Sequence, residues 1–120
     1  MRYVMLISVD EEGWGADEEK TQSVYQEIFA WYDKWHAAGK VVDGGAQLDS
    51  VRKAKTISRG TDGRPVVTDG PFLELKEVIA GIINLDCDDL DEAVAIASTW
   101  PAIAPFDEKV EVRPIIQRED

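Results

Sequence analysis

Residues 18–38, Glu-Glu-Lys-Thr-Gln-Ser-Val-Tyr-Gln-Glu-Ile-Phe-Ala-Trp-Tyr-Asp-Lys-Trp-His-Ala-Ala, decide the architecture of this chain. Val24, Ile28, Trp31, Trp35 and Ala38 recur at spacings of four, three, four and three, which places them on one face of an α-helix. Gly39 follows as a C-cap, and Lys34 and Lys40 set positive charge against the negative end of the helix dipole. A second stripe, Tyr25, Phe29, Tyr32 and His36, repeats the spacing one residue later. The apolar sector is therefore wider than a helix needs to cover one sheet, and part of it is expected to meet something else.

On the N-terminal side, Tyr3 to Val9 is β-rich and almost continuously apolar, the pattern of a central strand buried on both faces. Asp10 to Asp17 is an acidic, glycine-containing loop carrying Trp14. On the C-terminal side, Val41-Val42 reads as a strand reaching Gly44-Gly45, and Val51 to Ser58 as another. Gly60-Thr61-Asp62-Gly63 has hairpin-turn chemistry, with Arg64 to Thr68 as the return strand and Pro65 marking an edge. Val78 to Leu85 is β-rich around Gly81, a residue that weakens a strand unless a bulge or a close neighbour needs the space. Asp89 and Glu92 form a capping signal, Leu90, Ala93, Val94 and Ala97 a second helical face that Pro101 terminates, and Val110 to Ile116 the last strand.

The order β-α-β-(hairpin)-β-α-β predicts an α+β domain of the ferredoxin-like split βαβ type with an inserted hairpin. Both helices pack on one face of an antiparallel sheet. The other face is left apolar and open, and a two-fold homodimer, sheet against sheet in a dimeric α+β barrel, is the economical way to cover it.

At 120 residues the chain is one domain, 1–120, large enough for a core without disulfides or metals. No apolar run approaches the roughly 20 residues of a membrane span. Met1 to Ile7 runs into Asp10-Glu11-Glu12 without a small-residue cleavage site, so it reads as a strand and not a signal peptide, and a cytoplasmic location is expected. The lone Cys87 sits among Asp86, Asp88 and Asp89, which raise a thiol pKa, so it reads as a small strand-end residue and not a nucleophile.

A formal charge of −11 disfavours direct nucleic-acid binding. The most basic stretch, Arg52 to Lys55 with Arg59 and Arg64, alternates with Val51, Ala54 and Ile57 as the exposed face of a hairpin does and lacks stacking aromatics. With one histidine and one cysteine, no zinc site of the usual ligand types assembles within one subunit, and no phosphate loop, dinucleotide fingerprint or Ser-His-Asp set is present. No metal or cofactor is expected.

The candidate site lies at Asp69-Gly70-Pro71-Phe72 with Glu74, Lys76 and Glu77, where Gly and Pro beside a short acidic residue specify one backbone path and hold charged groups in place. Asp69 is either a general acid or base, its carboxyl desolvated against Phe72, or the cap of its own turn. Glu74, Lys76 and Glu77 either neutralise one another on the surface or orient an anionic or carbonyl ligand. Arg113, if it faces inward on the last strand, needs a carboxylate, and Glu74 or Asp69 is the expected partner of a bridge lining the cleft.

Asp69-Gly70-Pro71-Phe72-Leu73-Glu74-Leu75-Lys76-Glu77, with Asp86, Asp89-Leu90-Asp91-Glu92-Ala93 and Val110-Glu111-Val112-Arg113-Pro114 downstream, resembles the YCII-related domain proteins, in the branch named for a motif close to DGPFAETKE. Leu73 and Leu75 stand where that motif has Ala and Thr. The resemblance covers nearly the whole chain and implies a ferredoxin-like domain that dimerises through its sheets, with a cleft near the DGPF turn. Members are often linked to sigma factors and transcription initiation, and more distant relatives are suspected enzymes with a His-Asp pair. His36 lies later in the long helix than the relatives' histidine, so that role does not pass to it. Two functions follow as expectations: small-molecule binding near Asp69 to Phe72 with cofactor-independent acid-base chemistry, or a non-catalytic accessory role in which the Tyr25, Phe29, Tyr32 stripe contacts a sigma factor or another protein.

Overall fold

In β1 (Arg2–Val9) the side chains alternate. Tyr3, Met5, Ile7 and Val9 are buried, while Val4, Leu6 and Ser8 are half-buried on the opposite face. The nearly continuous apolar run thus covers two unequal faces, one packed under helices and one open. A computed structural model describes residues 1–10, 17–70 and 78–118. β1 lies inside a four-stranded sheet of order β2-β5-β1-β6, built with β2 (Val41–Gln47), β5 (Val78–Asp86) and β6 (Lys109–Pro114). Every pairing in it is antiparallel. Setting aside the ribbon of β3 (Lys55–Arg59) and β4 (Pro65–Asp69), the sheet strands run second, third, first, fourth in chain order. That is the ferredoxin-like arrangement.

Helix α1 (Glu18–Ala37) begins where Asp17 accepts a hydrogen bond from the Lys20 amide at 3.1 Å, with Glu18 and Glu19 in the first turn. It ends through Gly39, whose φ of 75° lies in the left-handed region. Val24, Ile28 and Trp31 face the sheet, Trp35 is half-buried and Ala38 is exposed, so the predicted stripe leaves the core in its last turn. Helix α2 (Leu90–Ala97) starts at Asp89, which accepts from the Glu92 amide at 2.8 Å. A one-turn helix α3 (Ile103–Phe106) precedes β6. Among the described residues, no helix is long and apolar enough to cross a membrane.

Four local expectations are corrected. Val51 to Lys53 is a 3₁₀ turn, because the Ser50 hydroxyl accepts from the Arg52 amide at 3.2 Å and coils the chain before β3 begins at Lys55. In α2 the buried face is Ala93, Ile96 and Ala97, while Leu90 and Val94 point outward: small side chains admit the close approach to the core that larger ones would block. The helix also stops at Ser98, before Pro101. The last strand ends at Pro114, leaving Ile115 and Ile116 exposed.

The expected irregularity at Gly81 is a bulge. Ile7 pairs with Gly81 and Ser8 with Ile79, so Ala80 has no partner across the ladder. β2 is broken between Val42 and Ala46, and a Cβ on Gly45 would lie 2.5 Å from the Ile82 carbonyl oxygen. Met5 and Leu85 are the largest fully buried side chains among the described residues. On the face away from the helices, Val4, Leu6, Val42 and Ile82 surround Asn84, which sits between Val4 and Val42, beside Glu111 and Arg113 of β6.

Candidate functional site

The helix spacing that produced two stripes on α1 produces a cavity between them and the sheet. Val24, Ile28 and Trp31 anchor the helix, and Tyr25, Phe29 and Tyr32 overhang the bulged end of β5 and the end of β2. Beneath them is a pocket of about 340 Å³, floored by Ile7, Val9, Ala80 and Gly81 and closed at its sides by Leu48 and Trp100. Gly81 contributes to that volume. A Cβ there would lie 3.5 Å from Ile7 Cδ1, in ordinary contact, so any longer side chain would enter the space.

The aromatic walls are cross-braced. Trp31 and Trp100 meet edge to face at 5.1 Å between centroids, and Tyr32 meets Trp100 in the same way at 6.1 Å. Such pairs add about 0.5–1.5 kcal/mol beyond area burial and hold ring planes in place. Trp31 Nε1 donates to Thr99 Oγ1 at 2.8 Å. Burial pushes the Tyr32 hydroxyl above the ordinary phenol range, which keeps it protonated at neutral pH. Tyr25 and Phe29 stack at 6.4 Å on the rim, with Phe29 65% exposed.

Among the described residues, one acid enters this apolar surround. Glu108 is 3% exposed, lines the pocket, and accepts a hydrogen bond from Trp100 Nε1 at 2.9 Å. The chain turns it inward through Asp107, whose φ of 52° ends α3 in the left-handed conformation that Asp tolerates better than most residues. Lys20 sits 4.9 Å over the Phe106 ring and ties α3 to the first turn of α1. Sequence reasoning missed Glu108. It follows Asp107 in an acidic loop, and nothing in composition or spacing separates the buried acid from the exposed one beside it.

Of the site residues that the sequence singled out, Asp69, Gly70 and Arg113 are described, and none of the three lines this pocket. Asp69 ends β4 with its side chain 85% exposed and paired to Lys55. Gly70 has a φ of 87°, as the sharp turn requires. Pro71, Phe72, Glu74, Lys76 and Glu77 lie outside the described residues. Arg113 is on the open sheet face opposite Val4, exposed, with Nε 3.5 Å from Glu111 Oε2. Of the two expected partners of an inward bridge, Asp69 is paired to Lys55 instead and Glu74 lies outside the described residues; strand alternation turns Arg113 to the exposed side, where a guanidinium needs no buried partner. His36 is exposed and borders a second hollow of about 330 Å³ at the break in β2, which shares Tyr32, Ala46 and Gln47 with the first pocket.

The YCII-related domain model matches residues 1–118. An uncharacterised protein of Rhizobium meliloti (strain 1021) is 34% identical over 116 residues, covering 96% of this chain and 92% of that protein. The chain therefore belongs to the YCII-related domain family.

Proposed function

We propose that this YCII-related protein binds a small, mainly apolar and planar molecule in the pocket beneath α1. The carrying observation is Glu108, a buried acid held by Trp100 at the wall of an aromatic cavity of about 340 Å³. That volume is at the lower end of small-molecule sites, which combine apolar walls with a few placed polar groups.

Any proton exchange with the ligand would fall to Glu108, Tyr25 and Tyr32, the ionisable side chains that line this pocket among the described residues, without a cofactor. Asp69 to Glu77 enters the same picture through the chain itself. The segment leads directly into Val78, the first residue of β5, whose Ala80 and Gly81 form the pocket floor. We place ligand contacts from Gly70, Pro71, Phe72, Glu74, Lys76 and Glu77 in the same proposal, with Asp69 as a positioning residue for that turn.

The protein acts in this reading as a cytoplasmic homodimer. The half-open sheet face with Val4, Leu6, Val42 and Ile82 around Asn84 supports it, because a small domain gains by covering such partly exposed apolar side chains. The accessory role in transcription initiation needs the Tyr25, Phe29, Tyr32 stripe as a contact surface for a sigma factor or another protein. Here those rings overhang a cavity, which favours a small ligand.

The test is a thermal-shift screen of planar aromatic and heteroaromatic compounds, followed by titration on tryptophan fluorescence, which Trp100 supplies inside the site. A ligand at 100 times its dissociation constant stabilises by about 2.7 kcal/mol. Compounds that stabilise the natural chain and a Gly81→Leu variant equally would move the site elsewhere.

A further inference from the structure

The β3–β4 ribbon pairs with no strand of the four-stranded sheet. An isolated two-stranded hairpin is marginal in water, so one that is part of a folded chain needs support from something. Its base is fixed: the Gly70 amide donates to the Ala54 carbonyl at 2.8 Å, Thr56 Oγ1 donates to the Gly70 carbonyl at 2.6 Å, and Val51 packs on the core. Its body is not covered. Ile57 and Val67 lie directly opposite each other, 64% and 62% exposed. Strand alternation puts Lys55, Asp69, Arg59 and Pro65 on their face. The arm also enlarges the molecule, whose radius of gyration is 16.6 Å where a compact domain of this length has about 13–14 Å.

Charge identifies the kind of partner. Residues 50–70 hold five basic side chains, Arg52, Lys53, Lys55, Arg59 and Arg64, against Asp62 and Asp69, a net of +3. The whole chain carries −11, so the rest carries −14. Among the described residues, Arg52, Arg59 and Arg64 have no carboxylate within ion-pair distance. An arm this basic on a body this acidic is complementary to the body of another copy.

One surface matches it closely. Leu90 and Val94, four residues apart on the outer side of α2, are 44% and 46% exposed. Asp88 and Asp91 flank them, exposed and without an ion pair within 4 Å among the described residues. An apolar pair bordered by carboxylates on α2 thus mirrors an apolar pair bordered by cations on the arm.

We propose that the β3–β4 arm docks on the outer face of α2 of a second copy of this chain, with Ile57 and Val67 against Leu90 and Val94 and Arg59 paired with Asp91. The contact is separate from the open sheet face and from the pocket, so it stands or falls independently of ligand binding.

The experiment is sedimentation equilibrium of the full chain with single and paired charge reversals. Arg59→Glu and Asp91→Arg should each weaken self-association about tenfold, and the two together should restore it to within about threefold, the behaviour of a direct pair in a double-mutant cycle. Ile57→Ser should weaken it through the apolar half of the contact. Raising the salt to about 0.5 M should weaken the natural chain and leave Arg59→Glu nearly unchanged. Additive losses in the paired variant, or single reversals that leave association unchanged, overturn the proposal. So does an arm whose reversal abolishes binding to a nucleic acid and not to itself.

Discussion

Trp100 Nε1 donates to Glu108 Oε1 at 2.9 Å, and the two residues are only 7% and 3% exposed. This hydrogen bond joins the loop after α2 to the start of β6, and it fixes both the indole plane that walls the pocket and the acid beside it.

Truncating the acid should therefore be costly in a characteristic way. Glu108→Ala removes the acceptor and leaves a buried indole N–H unpaired, a loss of about 1–3 kcal/mol. Glu108→Gln keeps an acceptor of the same reach and should lose less stability, while altering ligand binding. Urea denaturation of the two variants gives the ordering, and equal losses would remove the hydrogen bond as the cause.

Gly81 separates pocket from fold. Gly81→Ala adds a Cβ in ordinary contact with Ile7 and relieves glycine's entropic cost in a strand, so stability should be unchanged or higher by up to about 1 kcal/mol. Gly81→Leu should fill the cavity and abolish ligand binding while the circular dichroism spectrum stays native. Retained affinity in the leucine variant would place the ligand outside this pocket.

Much of this was legible in the chain and some was not, for physical reasons. The helix at Val24, Ile28 and Trp31 declares itself through period, which is local, while Gly81 marked an irregularity in its strand without deciding between a bulge and a close neighbour. The broad aromatic sector was expected to meet something beyond the sheet, and Tyr25, Phe29 and Tyr32 instead border a cavity that spacing alone did not announce. Glu108 could not be found because its burial is set by a left-handed turn at Asp107 and by an indole eight residues away. Arg113 was misplaced because the alternation of β6 alone does not say which face the helices cover. In α2, capping marked the start correctly, but leucine and valine outrank alanine in hydrophobicity and obscured the need for small residues at the contact.

Asp69 is a test of the turn. Its ion pair with Lys55 is exposed on both sides, so Asp69→Asn should cost under about 1 kcal/mol. If the turn positions ligand-contacting residues, the same variant should weaken binding measured by tryptophan fluorescence. Unchanged affinity would leave Asp69 with only its part in the ribbon.

Cys87 should be inert in the folded protein. Burial first, and then the neighbouring Glu92, push its thiol up to about 11, so almost none is thiolate at neutral pH. A disulfide-exchange reagent should label it only as fast as the protein opens, and fully in denaturant. Rapid labelling of the native chain would contradict its burial.

The pH dependence of stability should carry the mark of Lys40 and Glu92, which pair at 2.8 Å between the end of α1 and the first turn of α2. Hydrogen bonding to Lys40, and then to the Asp88 amide, lowers the Glu92 pKa below its ordinary 4.5. The native state therefore binds fewer protons than the unfolded chain there. That contribution is whole above the unfolded carboxylate value and is lost as pH falls through the lowered one. Lys40 is shifted the other way, raised above its ordinary 10.5 chiefly by the hydrogen bond to Glu92, so its contribution is whole below that value and is lost as pH rises through the raised one. Lys40→Met should accordingly flatten the stability profile on its acid limb, because Glu92 then titrates closer to its unfolded value, and should remove the alkaline contribution altogether. Urea midpoints measured across pH for the two chains check this, and parallel profiles would mean that the pair does not contribute to the pH dependence of folding.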